Sequence, residues 1–198
     1  MLIIFINYRV VEIDYITELR DILDSLDLED LDMIVEAIVN AHKNNNQIFI
    51  LGNGGSAALA SHFACDLGKG IVKDLRDKEE KRLRVISLTD NVSLMTAISN
   101  DISYDEVFSQ QLQNLIEEGD IIIGISSSGK SLNVVNALRL GKEKKATTIG
   151  LIGFDGGLMK DLVDLKVWVK HNDYGIVEDT HSALMHKISY NVRDKIKQ

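Results

Sequence analysis

The stretch "FILGNGGSAALASHFACDL", Phe49 to Leu67, joins three signals in nineteen residues. An apolar run suited to a buried strand breaks into Gly52-Asn53-Gly54-Gly55-Ser56, then resumes as an alanine-rich segment suited to a helix. Paired glycines let the backbone approach a ligand, and Ser56 is placed to cap the helix and to donate its hydroxyl. Strand, glycine loop and helix in that order are the repeating unit of a parallel α/β sheet. One helical turn beyond the loop, His62 and Asp66 stand four residues apart and so project from one face.

Outward from this unit the pattern repeats. "QIFIL", "RVISL", "DIIIGIS", "TTIGLIG" and "LKVWV" each read as a short buried strand, and helical patterns such as "NVSLMTAISN" and "SLNVVNALRLGKEK" fall between them. This alternation predicts an α/β three-layer sandwich around a mostly parallel, doubly wound sheet. Two helices are expected to precede it over 16–46: Leu19, Ile22 and Leu23 share one face, and a second apolar stripe runs through Ile34, Ile38 and Val39. A last helix is expected from about Ile176 to Ile196. Residues 1–15 read as an extra tail, and "VKDLRDKEEKRLR", Val72 to Arg84, as a solvated loop or frayed helix. With no internal repeat, the 198 residues read as a single domain.

Composition excludes several functions. A charged fraction of 26% beside 45% apolar residues describes a globular chain rather than a disordered one. A net charge of −8 argues against a nucleic-acid partner, since phosphate backbones are gripped by clustered Lys and Arg. The single cysteine, Cys65, rules out an intrachain disulfide framework and suits a reducing cytoplasm. No apolar run reaches the ~20 residues of a membrane span, so a soluble protein without a membrane partner is expected.

In such a sheet, ligands collect beyond the carboxyl ends of the strands. There a second loop, "ISSSGKS", Ile125 to Ser131, offers the hydroxyls of Ser126, Ser127, Ser128 and Ser131 together with free backbone N–H groups. One serine suffices for a helix cap, so four hydroxyls in six residues read as a phosphate cradle, although no Walker lysine pattern is present. A second histidine cluster, "EDTHSALMH", carries Glu178, His181 and His186 in the C-terminal helix. Three of five histidines thus fall in two short helical clusters, which points to a metal or acid–base site. "SND", Ser99 to Asp101, ends a helix within reach of the same cleft.

Read together, "GNGGSA" with His62, "AISND", "EVFSQQL", "GDIIIGISSSGKS" and "EDTHSALMH" resemble, in order, the sugar isomerase (SIS) domain family and within it the phosphoheptose isomerases. The resemblance runs from Ile16 to Ile196. It implies conversion of sedoheptulose 7-phosphate to D-glycero-D-manno-heptose 7-phosphate through a cis-enediol. It places substrate contacts on Asn53, Gly54, Gly55 and Ser56, on Asn100 and Asp101, on Ser126, Ser127, Ser128 and Ser131, and on Glu178. Zinc ligands, one ion per subunit, fall on His62, Asp66, Glu178 and His186. Asp66 is then the base and His186 its acid partner, in a cytoplasmic homotetramer whose N-terminal helices pack between subunits, with no nucleotide cofactor.

This chain departs from that pattern twice, carrying Asp66 where the family has Glu and Glu178 where it has Gln. A side chain one methylene shorter shifts the reacting carboxylate by about 1 Å, a displacement that can cost ~10²-fold in rate. A second carboxylate would neutralise a bound Zn²⁺, holding it more firmly but weakening it as a Lewis acid; an alternative is that Glu178 is the base and Asp66 only a ligand. Residues 178 and 186 stand about 12 Å apart along a continuous helix, whereas Glu178 and His181 meet more easily, so His181 competes with His186 as the ligand. The same motifs also suit an isomerase of another phosphosugar, or a non-catalytic SIS protein that only binds one.

Overall fold

The computed structural model describes residues 14–197. Most of the expected tail, residues 1–13, lies outside the described residues. Its last two positions belong to the first helix: Asp14 accepts a hydrogen bond from the Thr17 N–H, and α1 runs from Tyr15 to Ser25. α2 follows over Glu29–Asn44, stopped by Asn45 in the left-handed conformation.

Five strands then form one sheet: β1 (Gln47–Gly52), β2 (Arg84–Ser87), β3 (Ile121–Ser126), β4 (Thr147–Ile152) and β5 (Leu165–Trp168). The order is β2-β1-β3-β4-β5 and every pairing is parallel. All five expected strands are present. Side chains alternate between the faces, as strand geometry dictates. Ile48, Ile50, Ile123 and Ile125 join one core with Ile34 and Ile38 of α2. Phe49, Leu51 and Ile122 join the other.

The first core is closed by α2, by α3 (Gly55–Cys65) through Ala60 and Phe63, and by α7 (Tyr174–Lys197) through Leu184, Met185 and Ile188. The second is closed by α5 (Ser109–Gln113) through Leu112 and by α6 (Leu132–Glu143) through Val134 and Leu138. Helices on both faces complete the three-layer α/β sandwich. A further helix, α4 (Val92–Asp101), ends at the "SND" motif, with Ile102 as its C-cap. Residues 72–83 between α3 and β2 form no regular element, as their charge pattern anticipates. None of the described helices is long and apolar enough to cross a membrane.

The order β2-β1-β3 places the topological switch between β1 and β3, because the chain leaves β1 toward one edge and β3 toward the other. Loops diverge there and open a crevice at the carboxyl ends of the strands. The glycine loop follows β1 and the serine loop follows β3, so both anion-binding motifs face the same crevice.

Candidate active site

The crevice at the switch point is a cleft of about 290 Å³, lined by Asn53, Gly54, Gly55 and Ser56 on one side and by Ser126, Ser127, Ser128 and Ser131 on the other. Glu178 and Tyr174 from the start of α7 close it. A larger hollow of about 1010 Å³ runs along edge strand β2 past Ala64, Ile86 and Leu115. None of the expected substrate residues lines it, so the chemistry and not the size locates the site.

Gly54 takes φ +55°, the left-handed region that favours glycine, and serves as the N-cap of α3. This corrects the capping role expected of Ser56, which lies inside the first turn, buried, and contributes to the wall of the cleft. Gly129 takes φ +63°, and a Cβ there would lie 2.2 Å from the Gly156 carbonyl oxygen, so only glycine lets the serine loop close against its neighbour. Ser126 Oγ accepts from the Gly129 N–H and faces Ser131 Oγ at 3.4 Å, while Ser128 Oγ accepts from the Lys130 N–H. Ser131 is the N-cap of α6 by position, yet its hydroxyl makes no capping bond. The Ser127 hydroxyl is buried and finds no partner among the described residues. An unmet buried hydroxyl costs about 1–3 kcal/mol. Lys130 pairs with Asp155 at 2.9 Å and does not line the cleft.

A second constellation lies further along α3 and α7. The Asp66 backbone N–H bonds the His62 carbonyl, so the i, i+4 spacing read from the sequence is realised; the chain then continues as a π-helical turn over Asp66–Gly70. Such turns recur at functional sites because they re-aim side chains. His62 Nε2 stands 3.6 Å from Asp66 Oδ1 and His186 Nδ1 3.0 Å from Asp66 Oδ2. The imidazoles meet edge to face at 5.0 Å. One donor atom from each of His62, Asp66 and His186 lies within 4.8 Å of the other two. Two imidazole nitrogens and one carboxylate oxygen are a donor set that zinc accepts, so these residues fit the expected metal.

Glu178, expected as a fourth ligand, stands outside this group. It precedes His186 by two turns of the uninterrupted α7, and its carboxylate lies against Gly55, where a Cβ would come within 2.5 Å of Oε2. It makes no hydrogen bond or ion pair among the described residues. His181, the competing ligand, is fully buried, with Nε2 3.2 Å from the Ile152 carbonyl oxygen. Burial pushes its pKa down to about 4, so the ring is a neutral part of the core. Asn100 and Asp101 are exposed at the end of α4, the Asn100 amide donating to the Asp101 carboxylate; neither lines the cleft.

Three residues of the site escaped the sequence reading. Tyr174 closes the cleft and stacks edge to face on Phe154. Tyr104 and Asn133 both bond the side chain of Asn53. Asn133 sits two positions after Ser131 and offered a signal as a polar residue on the apolar face of its helix. Tyr104 offered none.

A family model of the SIS domain matches residues 14–153. The chain is 44% identical over 161 residues to the phosphoheptose isomerase of Aliarcobacter butzleri, covering 81% of this chain and 82% of that protein. It is 36% identical to a probable phosphoheptose isomerase of Thermoplasma volcanium, covering 92% and 91%. Among solved structures, the phosphoheptose isomerase of Neisseria gonorrhoeae superposes with a TM-score of 0.78 at 31% identity, covering 91% of each chain. That of Francisella tularensis superposes with a TM-score of 0.81 at 23% identity, covering 91% of this chain and 93% of its own, which speaks for the fold alone.

Proposed function

Because the chain belongs to the SIS domain family and, within it, to the phosphoheptose isomerases, we propose that it converts sedoheptulose 7-phosphate to D-glycero-D-manno-heptose 7-phosphate. The observation that carries this reading is the coincidence of two sites on the same helices. α3 and α7 wall the serine-lined cleft with their first turns and hold His62, Asp66 and His186 together beyond it.

The phosphate enters the cleft and takes hydrogen bonds from Ser126, Ser127, Ser128 and Ser131, with the backbone of Asn53, Gly54 and Gly55 opposite. This remote binding energy orients the reacting end of the sugar. Asp66 removes the C1 proton of the ketose and returns it to C2, while protons shift between O1 and O2 by way of His186; the cis-enediol between these transfers keeps every atom of the substrate. Glu178, whose carboxylate oxygens have no partner among the described residues, accepts from hydroxyls of the sugar chain. Asn100 and Asp101 approach from the end of α4. Zinc, one ion per subunit, held by His62, Asp66 and His186, supplies polarisation of the substrate oxygens when bound.

The active form is a homotetramer in the cytoplasm, and no nucleotide cofactor takes part. The assembly is supported by α1, which buries none of its own residues and leaves Ile16 71% exposed. The compartment is supported by Cys65, which has no second cysteine to pair with.

Turnover of sedoheptulose 7-phosphate, with and without added Zn²⁺ and beside Asp66→Ala, tests the reading. Metal-stimulated turnover that is lost in the variant is expected. A folded, metal-loaded protein without turnover sinks the heptose assignment and favours another phosphosugar.

A further inference from the structure

Asn53 lines the cleft with its side-chain amide held by two residues that the reaction itself does not call for. Amide oxygen and nitrogen are alike in shape, so the orientation of each group has to follow from its partners. The Val134 backbone N–H, which can only donate, lies 2.9 Å from Asn133 Oδ1 and fixes the Asn133 amide. Asn133 is 2% exposed, within the first turn of α6. Its Nδ2 donates to Asn53 Oδ1 at 2.9 Å, and Asn53 Nδ2 donates back to Asn133 Oδ1 at 2.8 Å, closing a reciprocal amide pair. The second lone pair of Asn53 Oδ1 accepts from the Tyr104 hydroxyl at 2.9 Å.

The Asn53 oxygen is thereby saturated, and one Nδ2 hydrogen is left without a partner among the described residues. We propose that Asn133 and Tyr104 are positioning residues that lock Asn53 as a pure hydrogen-bond donor toward a substrate phosphate oxygen, an inference that rests on the phosphosugar reading of the cleft. Without the lock the amide turns over and offers its oxygen to the phosphate, where two acceptors oppose each other. Tyr104 lies just beyond Asp101, in a 3₁₀ turn over Tyr104–Glu106. The Asn136 amide ties that turn to α6 by donating to the Asp105 carbonyl and the Glu106 carboxylate. The lock therefore also fastens the end of α4 to the phosphate side of the site.

A double-mutant cycle of Tyr104→Phe and Asn53→Ala tests this. Tyr104 is 50% exposed, so removal of its hydroxyl leaves the ring in place and the fold intact. Loss of one neutral hydrogen bond is expected to raise KM about fivefold, with kcat within about twofold because the contact is to the remote phosphate. In the Asn53→Ala background the same change has no further effect. An equal effect in both backgrounds, an unchanged KM, or a fall in kcat at constant KM overturns the proposal. The cycle is repeated on the calorimetric dissociation constant of sedoheptulose 7-phosphate, which needs no turnover. A wild-type protein that binds this sugar without isomerising it overturns the activity and leaves the cycle decisive for the lock. One that does not bind it overturns both.

Discussion

His186 Nδ1 lies 3.0 Å from Asp66 Oδ2, joining the middle of α7 to the π-helical turn that follows α3. The carboxylate is also flanked by His62 at 3.6 Å, so the shorter aspartate reaches both imidazoles in this chain.

Asp66→Asn keeps the shape of this group and removes its charge and basicity. If Asp66 transfers the proton, kcat falls by ~10²–10⁴ while thermal denaturation is nearly unchanged, since the side chain is partly exposed. Steady-state kinetics beside a bound-zinc assay check this. A variant that loses zinc but keeps kcat within about tenfold when reloaded would move the base to Glu178.

Gly55→Ala probes the contact between the glycine loop and α7. The new Cβ would meet the Glu178 carboxylate at 2.5 Å, so the carboxylate must leave its place. Only the end of a flexible side chain has to move, so stability should change by less than about 1 kcal/mol, while KM rises several-fold. Adding Glu178→Ala removes the clash without restoring KM. Steady-state kinetics beside chemical denaturation of the three variants read both outcomes, and a Gly55→Ala protein with unchanged KM contradicts the placement of Glu178 against the substrate.

These two contacts mark how far the sequence could be read. The strands were legible because buried parallel strands are continuous runs of branched apolar residues, as in "DIIIGIS", and the His62–Asp66 pair because helical periodicity fixes a face. The approach of His186 to Asp66 was not, since 120 residues of chain separate them and only the docking of α7 on α3 brings them together. The cap at Gly54 in place of Ser56 depends on a backbone angle that composition does not reveal. Glu178 and His181 lie three residues apart, yet one borders the cleft and the other is inside the core; the split follows from how α7 rotates onto the sheet.

His181 gives the protein an acid-sensitive core. Its folded-state pKa, about 4, lies below the 6.5 of a free imidazole because burial disfavours the cation. Between these values the unfolded chain binds the extra proton, so the contribution is fully present above pH 6.5 and is lost as pH falls toward 4. The total is roughly 3 kcal/mol. His181→Gln, which retains a donor for the Ile152 carbonyl, should flatten this part of the stability profile; urea titrations of both proteins at pH 7 and pH 4.5 check it, and parallel profiles would assign the acid sensitivity elsewhere.

Ser127→Ala should separate stability from binding. In the free protein the Ser127 hydroxyl is buried without a partner among the described residues, so its removal relieves an unmet polar group and should leave the melting temperature equal or slightly higher. If the same hydroxyl donates to the phosphate in the complex, its loss should raise KM about tenfold, as for a hydrogen bond to a charged group. Opposite signs in the two measurements are the signature of a hydroxyl kept for its ligand at the expense of the fold. A variant that is less stable and binds the substrate unchanged would mean that Ser127 serves the core of the serine loop and leaves the phosphate to Ser126, Ser128 and Ser131.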